Sequence, residues 1–515
     1  MREIRAQNYS PSLAGDRMLP GIALMLGAAV CAALALMYAQ GVLEAFPHHY
    51  LIPWVIGLGA VFILPSLLLW HKGRFSFADP LIFATWSYFF PAFCLGGFFL
   101  AVGWSDPIYI NLVRDPQSDL PFTIFILGLG FVGLALGYFL SIGRRVGRYL
   151  GSKLPEARTS DPSYIIPSLI LLSIGAIITV SEFTLGKFGF QRAEEISSYD
   201  GILFLTQQFW FQGSFILWLI LFRAEKLKFY FLPVIAILVG SSVTKSIFAG
   251  NRGMMIQIFA LIVLAYILSG RQFRAKQMAI GGGILIVILI SGMIFGTTLR
   301  MVKGDESQLQ AGEYIEKIGQ TFEEVGGASS VESLEFGATS LVGRMDIVST
   351  VGVVVSNYEL LKPYEDAYGL DNNIINELST FFIPRVLWPE KPTASDPRRY
   401  SDLYFNTGET SFAITPIGDL LRNFGPVGVP IGMLVIGIFI RLFYSALVEQ
   451  QLPSIWKYSI YIMLLTCISY EGFYGTIIPT LFRFLITASV GVLFVMVIAK
   501  RIDKAGFFRP PKALL

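Results

Sequence analysis

MAIGGGILIVILISGMIFGT, residues 278–297, runs for twenty residues without a charged side chain. A helix of about 20 mostly apolar residues crosses the hydrocarbon core of a bilayer, because it satisfies its own backbone polar groups. Eleven further segments read the same way: 19–38, 51–70, 80–102, 120–142, 164–180, 201–222, 229–246, 254–269, 426–446, 457–470 and 477–499. Of these, 254–269 and 457–470 are short. Composition agrees: 54% of residues are hydrophobic, 15% are charged and mean hydropathy is +0.62. A soluble domain carries about 25% charge. A soluble enzyme and a disordered chain are thereby excluded, and a net charge of +3 supplies no basic field for nucleic acid. The expected fold class is an all-α polytopic membrane protein with about twelve transmembrane helices.

Positive charge sets the expected orientation, since Lys and Arg concentrate on the cytoplasmic side. With the N-terminus inside, 23 Lys and Arg fall in cytoplasmic regions. Six fall in short outward regions (Arg114, Lys187, Arg192, Lys245, Arg252 and Arg483) and ten in one long segment, 298–425. Both termini are therefore expected in the cytoplasm, with the first span an uncleaved signal-anchor. The chain divides into membrane helices over 1–297, a large periplasmic loop over 298–425, and three membrane helices with a cytoplasmic tail over 426–515. The loop holds 19 acidic against 10 basic residues. Inside it, 339–357 is apolar but interrupted by Arg344 and Asp346, which predicts a surface-lying or re-entrant helix. Ile374, Ile375, Leu378 and Phe381 at helical spacing predict another short helix within 372–388.

The sequence carries no G-x-x-x-x-G-K-[ST] phosphate loop and no D-x-D metal clamp, and its three histidines, His48, His49 and His71, do not make a metal site. Cys31, Cys94 and Cys467 fall in apolar runs and read as small buried hydrophobes. No metal and no cofactor are expected. The spans are nearly free of Asp, Glu and Lys, which counts against a proton-coupled pump. Arginines recur beside membrane ends, at Arg252, Arg344, Arg385 and Arg422. Their planar forks suit the phosphate oxygens of a lipid diphosphate, although each could equally snorkel to ordinary headgroups. Aromatics around Arg385, Trp388 among them, suit either sugar stacking or the interfacial belt. Asp346, Glu377, Glu409 and Asp419 are candidate bases. Asp419, Arg422 and Asn423 share one face of a helix expected from 417 into the membrane. Asp419 there reads either as a base beside a phosphate-binding arginine or as a helix-start cap paired with Arg422.

The run Phe-Ile-Pro-Arg-x-Leu-Trp-Pro-x-Lys-Pro at 382–392, followed by Asn-Phe-Gly-x-x-Gly at 423–428, resembles the Wzy-type oligosaccharide repeat-unit polymerases of bacterial inner membranes. Asn251-Arg252-Gly253 before a span, Gly343-Arg344 before a loop helix, and one large loop towards the C-terminus fit the same pattern. The resemblance covers roughly 160–500, with the loop motif its most specific part. It implies polymerisation of O-antigen-type or exopolysaccharide repeats on the periplasmic side. The partners it implies are undecaprenyl-diphosphate-linked oligosaccharides, the lipid bilayer, and a chain-length regulator and flippase of the same pathway. The site carried into that reading comprises Asp419, Glu377 and Asp346 as bases, with Arg385, Arg252, Arg344, Arg422, Trp388 and Asn423 binding substrate. A glycan ligase and a glycolipid flippase or transporter are the alternatives.

The charge count makes a direct prediction: Gln310→Cys reacts with a membrane-impermeant maleimide in intact cells, and Lys504→Cys reacts only after lysis. Equal labelling at both sites would contradict the orientation.

Overall fold

Apolar runs that must close their own hydrogen bonds fold as helices, and among the described residues the molecule is helical without a strand. The computed structural model describes residues 18–42, 44, 46–105, 107–155, 160–186, 199–226, 229, 231–250, 252–271, 275–304, 309–327, 330–383, 387–388, 390–391, 395–408, 411–449 and 454–505. The N-terminal half comprises α1 (Met18–Ala39), α2 (Ile52–His71), α3 (Pro80–Ala84), α4 (Gly96–Ala101), α5 (Pro116–Phe139), α6 (Ser141–Lys153) and α7 (Ile165–Thr184). Next come α8 (Asp200–Gln207), α9 (Phe209–Arg223), α10 (Phe231–Ala249), α11 (Arg252–Leu268) and α12 (Ala275–Lys303). The long segment contributes α13 (Ala311–Gly327), α14 (Ser330–Met345), α15 (Val348–Leu361), α16 (Asn373–Thr380) and α17 (Pro397–Phe405). The chain then forms α18 (Thr415–Leu447), α19 (Ile455–Thr466) and α20 (Tyr474–Ala505). A π-helical stretch, Thr85–Leu95, joins α3 to α4 into one continuous run.

Among the described residues, nine helical stretches are long and apolar enough to cross a membrane. Eight of them coincide with spans expected from the sequence. The ninth, Gly337–Tyr364, joins α14 to α15. The remaining expected segments are helical but differ in form: 201–222 is broken into α8 and α9, and α11 and α19 are short. Of the stretch 339–357, expected to be surface-lying or re-entrant, the part up to Met345 is exposed or half-buried, whereas 346–355 is buried inside the bundle. Val348, Val351, Val353 and Val354 in α15 are all 0% exposed, because valines on every face of that helix are covered by the bundle.

A glycine seam joins α5 to α18. A Cβ on Gly133 would overlap the Pro430 carbonyl, one on Gly137 the Leu434 carbonyl, and one on Gly437 the Leu134 carbonyl. Lipid tails give helices no hydrophobic reason to associate, so close approach through small residues carries the packing. Leu140, with ψ 138°, breaks the chain between α5 and α6, yet α6 extends the seam through Gly143 against Ile438 and Gly147 against Leu442.

Two features shape α18 itself. Gly425 adopts φ 68° and ψ −172°, a region open only to glycine, and kinks the helix just before Pro426. Towards the other end, Arg441 donates to the Tyr138 hydroxyl at 2.7 Å and to both Glu449 carboxylate oxygens at 2.9 Å. Arg74 also pairs with Glu449, and Tyr138 donates to Asp79, which caps α3.

The seam predicts a sharp contrast between glycines. Gly137→Ala must push α5 off α18 and destabilises the protein by about 1–3 kcal/mol, whereas Gly282→Ala, which meets open space, does not. Thermal unfolding in detergent measures both; equal midpoints would refute the seam.

Candidate functional site

The residues between α15 and α18 converge on one buried guanidinium. Thr415 begins α18, and its first turns carry Asp419, Arg422 and Asn423 on one face, as the three- and four-residue spacing requires. Arg422 Nη1 lies 2.9 Å from Glu365 Oε1 and donates to the Leu370 carbonyl at 3.0 Å. Its Nη2 donates to Asp419 Oδ1 at 2.9 Å and to Asn373 Oδ1 at 2.6 Å. The side chains of Arg422, Glu365 and Asp419 are all 0% exposed.

The surrounding bonds draw five elements together. Asp419 Oδ2 accepts from Asn373 Nδ2 and from the Gly475 backbone N–H of α20, each at 3.3 Å. Asn423 Nδ2 donates to Asn373 Oδ1 at 2.8 Å and to Asp419 Oδ1 at 3.2 Å. Asn373 opens α16 behind Asn372, whose φ of 51° lets the chain turn sharply into that helix. Lys362 Nζ donates to Glu365 Oε2 at 2.9 Å and to Asp371 Oδ1 at 3.0 Å. From α17, the Tyr404 hydroxyl donates to Glu365 Oε1 at 3.1 Å. Burial, reinforced by the Glu365 charge, holds that phenol well above its usual range, so it stays a donor. Tyr400 packs beside it, and its buried hydroxyl has no partner among the described residues.

This geometry separates residues that sequence alone grouped. Asp419, Arg422 and Asn423 come together as a closely bonded network: both Asp419 oxygens are occupied and two carboxylates hold the guanidinium, whose buried Nε has no partner among the described residues. Asp346 is elsewhere, 1% exposed at the break between α14 and α15. There it accepts from Ser105 Oγ at 2.6 Å and from the Ser349 N–H at 3.1 Å, and so caps α15. Arg344 is exposed nearby on α14. Glu377 on α16 is half-buried, and its carboxylate has no hydrogen bond or ion pair among the described residues.

Arg385 and Glu409 lie outside the described residues, as does the side chain of Arg252 at the start of α11. The ends of the Arg385 loop are described. Lys391 Nζ donates to the Thr380 carbonyl at 2.7 Å and to that of Ile383 at 3.2 Å, closing the loop on the C-terminus of α16. Phe381 packs on Phe482 of α20, while Phe382, Leu387 and Trp388 stay exposed. Glu365, Asn373 and Lys362 were missed at the sequence level. Glu365 and Asn373 lie about fifty residues from their partners on α18, and no local spacing advertises them; Lys362 pairs locally, with Glu365 and Asp371. Among the described residues no group of His, Cys, Asp and Glu is suited to hold a metal.

Fold and site together define the class: a helical protein built to span a membrane, with a buried ionic knot at one end of its bundle. No protein-family model, curated protein or solved structure matches the chain.

A buried pair that loses one partner leaves an uncompensated charge, which costs about 3–5 kcal/mol. Asp419→Asn is therefore expected to lower the unfolding midpoint sharply, while Glu377→Gln leaves it unchanged. A wild-type midpoint for Asp419→Asn would remove Asp419 from the network.

Proposed function

We propose that the chain is a Wzy-type polymerase of lipid-linked oligosaccharide repeats, acting on the periplasmic face of a bacterial inner membrane. The observation that carries the reading is the 382–392 motif: a loop closed by Lys391, exposing Phe382, Leu387 and Trp388, and joined to the helix that carries Glu377, a candidate base with no hydrogen bond or ion pair among the described residues. Exposed aromatics beside α20 suit a substrate that is part lipid and part sugar.

In this reading an acceptor sugar hydroxyl attacks the anomeric carbon of the donor glycan. The bond from that carbon to the diphosphate oxygen breaks, undecaprenyl diphosphate leaves with the electron pair, and Glu377 takes the hydroxyl proton. Arg385 neutralises the departing diphosphate, with Arg252 and Arg344 as further contacts, and Trp388 stacks on a sugar face. Asp419, Arg422 and Asn423 position α16 and its loop; Asp346 fixes α15. No nucleotide is consumed. A chain-length regulator and a flippase are the expected pathway partners.

The test is reconstitution of the purified protein with undecaprenyl-diphosphate-linked repeats and no nucleotide. A ladder of longer lipid-linked glycans is the expected product. Arg385→Ala and Glu377→Gln abolish the ladder without loss of folding, and Arg385→Lys restores only part, since an ammonium lacks the bidentate fork. Full activity of Arg385→Lys reduces that residue to a generic headgroup contact. Transfer of glycan onto a different acceptor supports a ligase, and movement of unpolymerised repeats across the bilayer supports a flippase; either overturns the proposal.

A further inference from the structure

Helix α6 divides its surface into three stripes. At about 100° per residue, Gly143, Gly147 and Gly151 form one stripe, and it is buried. Arg144, Arg148 and Arg145 follow around the helix, and Ile142, Val146 and Leu150 form the third stripe, each at least 40% exposed. Gly143 and Gly147 explain why the helix stays put: their backbone lies directly on α18.

Among the described residues, the charges on this face are matched only at Arg144. Glu449 is the acidic group nearby, and it is already bound by Arg441 and Arg74, with Arg144 Nε at 3.9 Å. Arg145 and Arg148 are exposed and have no ion pair among the described residues. Lys153 sits over the Tyr149 ring at the end of the helix. A cationic stripe beside an apolar stripe, starting where a membrane-crossing helix ends, has the chemistry of one kind of partner: a molecule with an anionic head and a hydrocarbon tail.

We propose that α6 is a binding surface for an anionic phospholipid of the adjoining leaflet, its phosphate on Arg145 and Arg148 and an acyl chain along Ile142, Val146 and Leu150. This site is at the opposite end of α5 and α18 from the Arg422 network and does not depend on the glycan-polymerase reading.

The probe is phosphatidylglycerol, titrated against the detergent-purified full chain and followed by native mass spectrometry and thermal unfolding, with phosphatidylcholine as the neutral comparison. Wild type retains phosphatidylglycerol preferentially and is stabilised by it. Arg145→Gln with Arg148→Gln weakens that binding about 30-fold at low salt, from the usual contribution of two basic side chains at a membrane surface. Arg145→Lys with Arg148→Lys keeps it. Two results would overturn the proposal: equal retention of the two lipids by wild type, or undiminished phosphatidylglycerol preference in the glutamine variant. Stabilisation by inorganic phosphate alone, with no gain from the lipid, would overturn it as well. A monodisperse gel-filtration peak at the wild-type position excludes misfolding as the cause of lost binding.

Discussion

A guanidinium taken out of water needs its charge balanced and its donors accepted; at Arg422 two carboxylates balance the charge and the terminal nitrogens find acceptors from near and distant parts of the chain, while the buried Nε has no partner among the described residues. Glu365 comes from the turn after α15, Asn373 from the start of α16, and Asp419 from the same helix. None of these can be withdrawn without leaving a buried charge or amide unsatisfied. The segment between α15 and α18 is therefore fastened to the bundle through a few polar atoms. The apolar packing of Tyr400, Tyr404 and Phe473 closes over them.

The same helix meets the same problem at its other end. Arg441 is held by Tyr138 and Glu449, and nineteen residues separate it from Arg422. At a rise of 1.5 Å per residue that is roughly 28 Å, close to the thickness of a bilayer's hydrocarbon core. Between the two arginines run the Gly425 kink and the glycine seam with α5. Helix α18 thus acts as a spine, pinned by an ionic knot at each end and by direct backbone contact between them. A spine of this kind gives the segment between α15 and α18 a rigid base, and α16, with Glu377, is mounted there.

Much of this architecture was legible in the sequence. The uncharged runs give the helices, because length and apolarity suffice to define a membrane-crossing helix. Asp419, Arg422 and Asn423 were placed on one face by spacing alone, and they do meet. Their role was not legible. Whether a carboxylate is a base or a strut depends on how many donors surround it. For Asp419 those donors come from Asn373 and Gly475, far along the chain. Within 339–357, expected as a surface-lying or re-entrant helix, Arg344 and Asp346 look like obstacles to burial. In the fold, however, one points outward at the end of α14 and the other caps α15, leaving the valines between Val348 and Val355 wholly enclosed. The glycine seam was invisible as well, since a small residue declares its purpose only when a neighbour's backbone is found against it.

The central claim, that Arg422 ties the 365–405 segment to the membrane bundle, is tested most directly by amide hydrogen exchange on wild type and Arg422→Met. If the claim holds, α16 and α17 lose protection together in the variant, because they open as one unit once the knot is gone, while α10 to α12 exchange as in wild type. Unchanged protection in α16 and α17, or a uniform loss across the whole molecule, would contradict it.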